Sequence, residues 1–358
     1  MTRTDKDFLK VSLIGFGTVG RGLAKVLYGG TGAGRRGIKI VSITDRSGTV
    51  YNPDGLDLSR AVLVKQSSGR IFDYGGKFAH DWDSFAAIEK CGSDVVVEVT
   101  PTNIETAEPA LSHIKHAFKH GRHVVSANKG PFALFFEDVA SLAAKNSKHL
   151  FYGASVCGAI PIIELCRDLL IGNEVYEVSG IFNGSSNYII SRMEESGIGF
   201  DDALAEAMTK GITEQNPSQD IDGWDAAAKL VILADSVMNS GLTIHDVAVS
   251  GIRGLSQKEI GEALKRGKKI RLIGRISRST AKVSLEEVDA GSPMAIGSTL
   301  NIAVVTTDLA KDITVIGRGA GEFETASAVL SDLNTIKNRL FKDSPAINGS
   351  KFGSLKSG

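Results

Sequence analysis

The chain has 358 residues, with 41 Lys+Arg against 41 Asp+Glu, a length that suggests two domains at ~100–200 residues each. Its 42% hydrophobic and 23% charged residues exclude intrinsic disorder, and the zero formal charge excludes a whole-surface polyanion binder. No apolar run approaches the ~20 residues needed to span a bilayer, and three scattered cysteines (Cys91, Cys157, Cys166) make neither a disulfide framework nor a zinc site. The polar opening residues lead into a short strand, so no secretory signal is expected and the protein reads as cytoplasmic, with a small-molecule substrate and no nucleic-acid or membrane partner. Glycine is the outlier: 40 residues, against about 25 at the ~7% average, mark many places for sharp turns or close ligand approach.

Taken in order, residues 8–14 read as a buried strand, followed at once by Gly15-Phe16-Gly17-Thr18-Val19-Gly20 and a helix whose Leu23, Val26 and Leu27 share one face. Further strands fall at 38–43, 94–99, 123–125 and 150–152, with helices at 104–120 and 131–146. Strands alternating with long helices are the signature of a Rossmann-type doubly wound parallel sheet, expected over residues 1–150. Beyond it, a strand at 174–182, helices at 187–196, 201–210, 222–240 and 257–264, and strands at 270–277 and 300–306 come in blocks. They predict an α+β substrate and dimerisation domain over 151–310. A last helix at 325–340 belongs to a closing segment (311–340), and a Gly/Ser/Lys-rich tail (341–358) reads as mobile.

In GxGxxG, Gly15 permits the tight turn, Gly17 lets backbone approach a pyrophosphate, and Gly20 lets helix pack on strand. The helix N-terminus, with Thr18 and Val19, supplies unpaired N–H groups. Asp45, at the end of the second strand, would accept from a ribose diol, whereas Arg46 beside it would pair with a 2′-phosphate. The two residues conflict over NAD against NADP, with a lean to NADP. A second glycine cluster, 29–37, reads as a surface loop.

The segment 213–229 concentrates charge. Asp222 is expected to cap a helix on which Asp225 and Lys229, at i and i+4, share a face surrounded by small and apolar residues, which implies partial burial. Lys129, in Ala127-Asn128-Lys129-Gly130, follows a parallel strand at its carboxyl end, where open α/β sheets bind ligands. A dry site beside another cation would ease loss of its proton. The small-residue turn at 154–161 leaves carbonyls free for a ligand or ion, and 180–188 offers donors at a helix start. Three features are set aside. His113, His116 and His120 sit at i, i+3 and i+7 with no carboxylate in sequence to complete a metal ladder, and read as solvent-facing. The basic run 265–272 reads as a solvated face, and Phe132, Phe135 and Phe136 as a buried helix face.

Together the glycine loop, Ala-Asn-Lys at 127–129, Gly-Ala-Ile-Pro at 158–161, the 180–188 stretch and the Glu214, Asp220, Asp225, Lys229 block resemble homoserine dehydrogenases, in order over residues 8 to about 340. The resemblance implies reversible NAD(P)-dependent interconversion of L-homoserine and L-aspartate 4-semialdehyde. Lys129 and Lys229 would handle the proton of the reacting oxygen, and Asp225 would orient Lys229 or the substrate. Glu214 and Asp220 would hold the ammonium, with Asn183 and Gly184 also at the substrate. Thr100, Lys129 and the closing motif with Gly319 and Glu322 would join the glycine loop, Asp45 and Arg46 at the cofactor. A monovalent cation, sodium or potassium, would sit on the carbonyls of Val156 and Gly158. A homodimer without the regulatory domain of longer members, and so without threonine feedback through it, is also implied. Cys157 and Ala159 depart from the family's usual glycines. A dehydrogenase of another hydroxy amino or sugar acid, or a non-catalytic dinucleotide-sensing regulator, are the alternatives.

Overall fold

A computed structural model describes residues 8–30, 35, 37–214 and 216–341. Most of the glycine cluster at 31–36 and all of the tail after Phe341 lie outside the described residues.

The first half alternates as its hydrophobic pattern dictates: β1 (Leu9–Ile14), α1 (Thr18–Tyr28), β2 (Ile38–Asp45), β3 (Gly48–Tyr51), α2 (Leu58–Ser68), β4 (Ala79–His80), α3 (Ser84–Lys90), β5 (Val95–Glu98), α4 (Ala110–Lys119), β6 (His123–Ser126), α5 (Gly130–Lys145) and β7 (Leu150–Phe151). The seven strands form one sheet in the order β4-β3-β2-β1-β5-β6-β7. The pairs from β2 through β7 are parallel, and β3 and β4 add an antiparallel edge. After β2 the chain returns to pair β5 on the other side of β1, and a crevice opens at such a switch point, beyond the carboxyl ends of β1 and β5. α4 begins six residues later than expected because Pro109 can only stand at a helix start. Phe135, expected inside, is 37% exposed where α5 kinks at that residue.

The second half runs α6 (Ile162–Glu164), β8 (Val175–Ile181), α7 (Gly184–Ser196), α8 (Phe200–Thr209), α9 (Ser218–Ile221), α10 (Trp224–Met238), β9 (Val247–Val249), α11 (Gln257–Lys265), β10 (Lys268–Ser277), β11 (Ala281–Asp289), β12 (Leu300–Thr307), β13 (Asp312–Arg318) and α12 (Glu322–Leu340). Its sheet, ordered β13-β12-β8-β10-β11-β9, is antiparallel except where β9 joins β11. The largely apolar α10 packs against its middle strands. α12 leaves this sheet and packs on α1, burying Ala326, Val329, Leu333 and Ile336 in the core of the first. The expected solvated face at 265–272 needs correction. Arg271 is fully buried, because Glu194 (2.8 Å) and the carbonyls of Ala295 and Ile296 (2.8 Å each) satisfy its guanidinium.

Candidate active site

The glycine loop is shaped by contacts that only glycine permits. Gly15 sits at φ +101°, and a Cβ there would meet the Val99 carbonyl oxygen at 2.6 Å. A Cβ on Gly20 would meet the Gly15 carbonyl oxygen at 2.4 Å, so helix and turn touch backbone to backbone. Gly17 is different: its missing Cβ would meet nothing within 4 Å, so the space beside it is open to a ligand.

Beyond the loop lies a cleft of about 480 Å³ between the two sheets. Val19, Thr100, Lys129, Cys157, Gly158, Asn183, Gly184, Asp220, Asp225, Lys229 and Gly319 are among the residues that line it. Lys129 ends the β6 turn and caps α5. Its neighbour Asn128, 1% exposed, fixes that turn by donating to the carbonyls of Thr100 (3.1 Å) and Pro101 (3.2 Å). Lys229 projects from the second turn of α10, 6% exposed. It donates to the Phe182 carbonyl (2.7 Å) and to Asp225 Oδ2 (2.7 Å), which leaves one of its three N–H donors for the cleft. Asp225 Oδ1 lies 3.5 Å from Lys129 Nζ. Two lysines a hundred residues apart therefore share one carboxylate, and the solvated pair that an i, i+4 spacing alone would allow is replaced by a buried bridge.

Asn183 locks the arrangement. Its Nδ2 donates to Asp220 Oδ1 (2.7 Å) and Asp225 Oδ2 (2.9 Å), while its Oδ1 accepts from the Ser186 amide (2.8 Å) at the start of α7. Thr213 donates to Asp220 Oδ2 at 2.9 Å. Burial opposes the charge on Asp225, but Lys229 and Lys129 outweigh it and hold the carboxyl well below the usual range. Burial likewise opposes the Lys229 ammonium, yet Asp225 prevails and its pKa is raised. Asp220 is pushed up, by burial and then by Asp225. At Lys229 the carboxylate beside it therefore works against loss of the proton.

Other expected residues fall around or outside this cluster. Glu214 is exposed and does not line the cleft. Asp222 ion-pairs with Arg253 (2.5 Å), and α10 is capped by Gly223 in the left-handed region rather than by Asp222. At the end of β2, Asp45 is spent on Lys65 (2.5 Å), on the Ser47 amide (2.7 Å) and on the Ile71 amide (3.0 Å). Burial alone would raise its carboxyl, but these partners hold it below the usual range. Arg46 beside it is exposed. Glu322 ion-pairs with Lys25 at 2.7 Å, tying α12 to α1. Cys157 is 1% exposed at φ +56°, and burial pushes its thiol up to about 11. A Cβ on Gly158 would meet the Gly319 carbonyl oxygen at 2.7 Å, so the 154–161 turn and the closing motif touch.

Sequence reading missed Thr213, Thr299, which also lines the cleft, and Glu98. Glu98 is a fully buried carboxylate ending β5 and bonded to Thr100. A carboxylate closing an apolar strand at its carboxyl end was the available signal for Glu98; Thr213 and Thr299 carry none.

A glycine loop and a lysine pair that open on one crevice are the two halves of an oxidoreductase passing hydride between an alcohol carbon and a nicotinamide dinucleotide. That is the class this fold and site define. Residues 15–153 match the family model described as homoserine dehydrogenase, NAD binding domain, and residues 161–333 the model described as homoserine dehydrogenase. The homoserine dehydrogenase of Methanocaldococcus jannaschii is 46% identical over 333 residues, covering 92% of this chain and 99% of that one. An NAD(+)-dependent homoserine dehydrogenase of Pseudomonas canavaninivorans is 36% identical, covering 90% of this chain and 95% of the relative. Among solved structures, a putative homoserine dehydrogenase from Archaeoglobus fulgidus superposes with a TM-score of 0.83 at 36% identity, covering 92% and 99% of the two chains. A hyperthermophilic archaeal homoserine dehydrogenase in complex with NADPH gives 0.81 at 29% identity, covering 92% and 98%. The chain belongs to the homoserine dehydrogenase family and is an NAD(P)-binding oxidoreductase. Among the described residues no helix is long and apolar enough to cross a membrane.

Proposed function

We propose that the Lys129–Asp225–Lys229 bridge carries the reversible NAD(P)-dependent interconversion of L-homoserine and L-aspartate 4-semialdehyde. The single observation behind this reading is the convergence of both ammonium groups on Asp225, at 3.5 and 2.7 Å, in the wall of a cleft beside the glycine loop. A nicotinamide dinucleotide held by the glycine loop would supply hydride chemistry at the substrate's terminal carbon. Lys229 stays protonated through neutral pH, so its free N–H donates to the aldehyde oxygen and stabilises the alkoxide that forms there. In the oxidative direction the same group must receive the alcohol's proton, which favours alkaline pH. Asp225 is a positioning residue that fixes both lysines.

Asp220 supplies the anionic wall for the substrate ammonium, and the first-turn amides of α7 at Gly184 and Ser185 suit its carboxylate. Asn183, with its amide committed to Asp220 and Asp225, positions these carboxylates rather than binding substrate directly. Glu214, exposed and outside the cleft lining, is the weaker anchor. The glycine loop and the N-terminus of α1, with Thr18 and Val19, would cradle the pyrophosphate, and Thr100, Gly319 and the Lys25–Glu322 pair would frame the rest of the dinucleotide. NADP is the favoured form, because Lys65 neutralises Asp45 and Arg46 is exposed beside it. A monovalent cation fits the 156–158 turn: among the described residues no backbone amide donates to the carbonyls of Val156 or Gly158.

In this reading the chain is a cytoplasmic homodimer. Three buried, unpaired cysteines suit a reducing compartment, and the face of the second sheet opposite α10 carries Val304 and the half-exposed Ile316 for a partner copy. A two-domain organisation splitting near residue 150, with 311–340 returning to the first sheet, is proposed with it. Initial-rate assays of homoserine oxidation with NAD and NADP side by side, beside a panel of other hydroxy amino and sugar acids, test the assignment. Lys129→Ala and Lys229→Ala should each lower kcat by about 100-fold or more. Absence of homoserine turnover refutes the substrate, and an effect confined to KM demotes the lysines to binding roles.

A further inference from the structure

The three α4 histidines do not share one fate. His113 is buried, 3% exposed, with its Nε2 2.7 Å from the Ser84 hydroxyl and its Nδ1 3.4 Å from Glu98. His116 and His120 remain together one turn apart, their rings 4.4 Å between centroids. The missing carboxylate comes from another element. α3 packs on α4 and carries Glu89 to the pair, so that one donor atom from each of Glu89, His116 and His120 lies within 4.8 Å of the others. The His116 Nε2 is buried and has no hydrogen-bond partner, an orphan polar atom that requires explanation. Two imidazoles and a carboxylate form a borderline N2O donor set that suits zinc and its first-row neighbours. Donor atoms on one zinc ion lie about 3.4 Å apart at bonds of about 2.0–2.1 Å, a closure within reach of rotations of the exposed Glu89 and half-buried His120 side chains.

We propose that Glu89, His116 and His120 form a three-ligand zinc site, with water in the fourth position, that clamps α3 to α4 away from the lysine cleft. Binding to the native state alone would stabilise the protein by mass action.

The test uses the full-length, tag-free chain stripped of metal. Cobalt(II) titration should develop the visible absorption of a four-coordinate site, saturating at one equivalent and displaced by one equivalent of zinc, and zinc should raise the melting temperature. H120A and E89Q, both in positions that leave the core untouched, should each weaken zinc binding by at least about tenfold and remove the zinc-dependent rise, with metal-free melting and homoserine turnover unchanged. Should one variant fail to fold, the other decides alone. Failure to saturate at one equivalent, or equal zinc affinity in the wild type and in a folded variant, overturns the proposal. Neither overturning result depends on homoserine turnover, so this inference and the assigned reaction stand or fall separately.

Discussion

Replacing Asp225 by asparagine tests whether one carboxylate organises both lysines. The substitution keeps an acceptor for Lys229 or Asn183 but removes the charge that Lys229 meets at 2.7 Å and Lys129 at 3.5 Å. Hydrogen bonds to charged groups contribute about 1.5–3 kcal/mol, so kcat/KM should fall about tenfold to 150-fold. Stability should fall by about 3–5 kcal/mol, because two ammonium groups then share a cleft without their counter-ion. The pH profile is the sharper measure. Asp225 raises the Lys229 pKa, so in the wild type the group accepts the alcohol's proton only on the alkaline side. In D225N that support is gone, and the alkaline rise in homoserine oxidation moves to lower pH. Initial rates from pH 7 upward, with a melting curve to establish folding, read both effects. A folded variant with an unmoved profile and near wild-type kcat/KM would refute the shared-carboxylate argument.

Gly17→Ala should leave urea stability within about 0.5 kcal/mol, since its Cβ meets nothing, while the KM for the dinucleotide rises at least about tenfold; equal loss of stability would show a packing role instead. Arg46→Ala should cut kcat/KM for NADP about tenfold or more and leave NAD almost unchanged, and a uniform loss with both cofactors counts against the 2′-phosphate contact. Arg271→Met strips Glu194 of a buried partner and should cost about 3–5 kcal/mol in urea denaturation; a cost near zero would mean the pair is compensated. Lys210, Tyr188 and Arg192 hold the Glu206 carboxyl down at about 2. Its contribution to stability is present above the unfolded pKa of ~4.3 and is lost as pH falls toward about 2, so Glu206→Gln should flatten the stability–pH slope in that window.

Local pattern alone determined the doubly wound half. Buried apolar strands, long helices and GxGxxG after the first strand all act within a few residues, and Gly20 is required by a backbone contact inside that same turn, although Gly15 answers to the distant Val99 carbonyl. The identity of the charged cluster was also legible, because Asp225 and Lys229 lie one helical turn apart. The two-residue β4 and three-residue β9 are too short to show a period before their partners are known. What only the tertiary structure decided is which distant groups meet. Asp225 serves Lys129 as well as Lys229, Asp45 is spent on Lys65, Arg271 finds Glu194, and Glu89 reaches two histidines of another helix. Spacing along a chain sets which side chains share a face, whereas charge state and burial depend on what the opposite face brings within about 4 Å, and no local pattern encodes that.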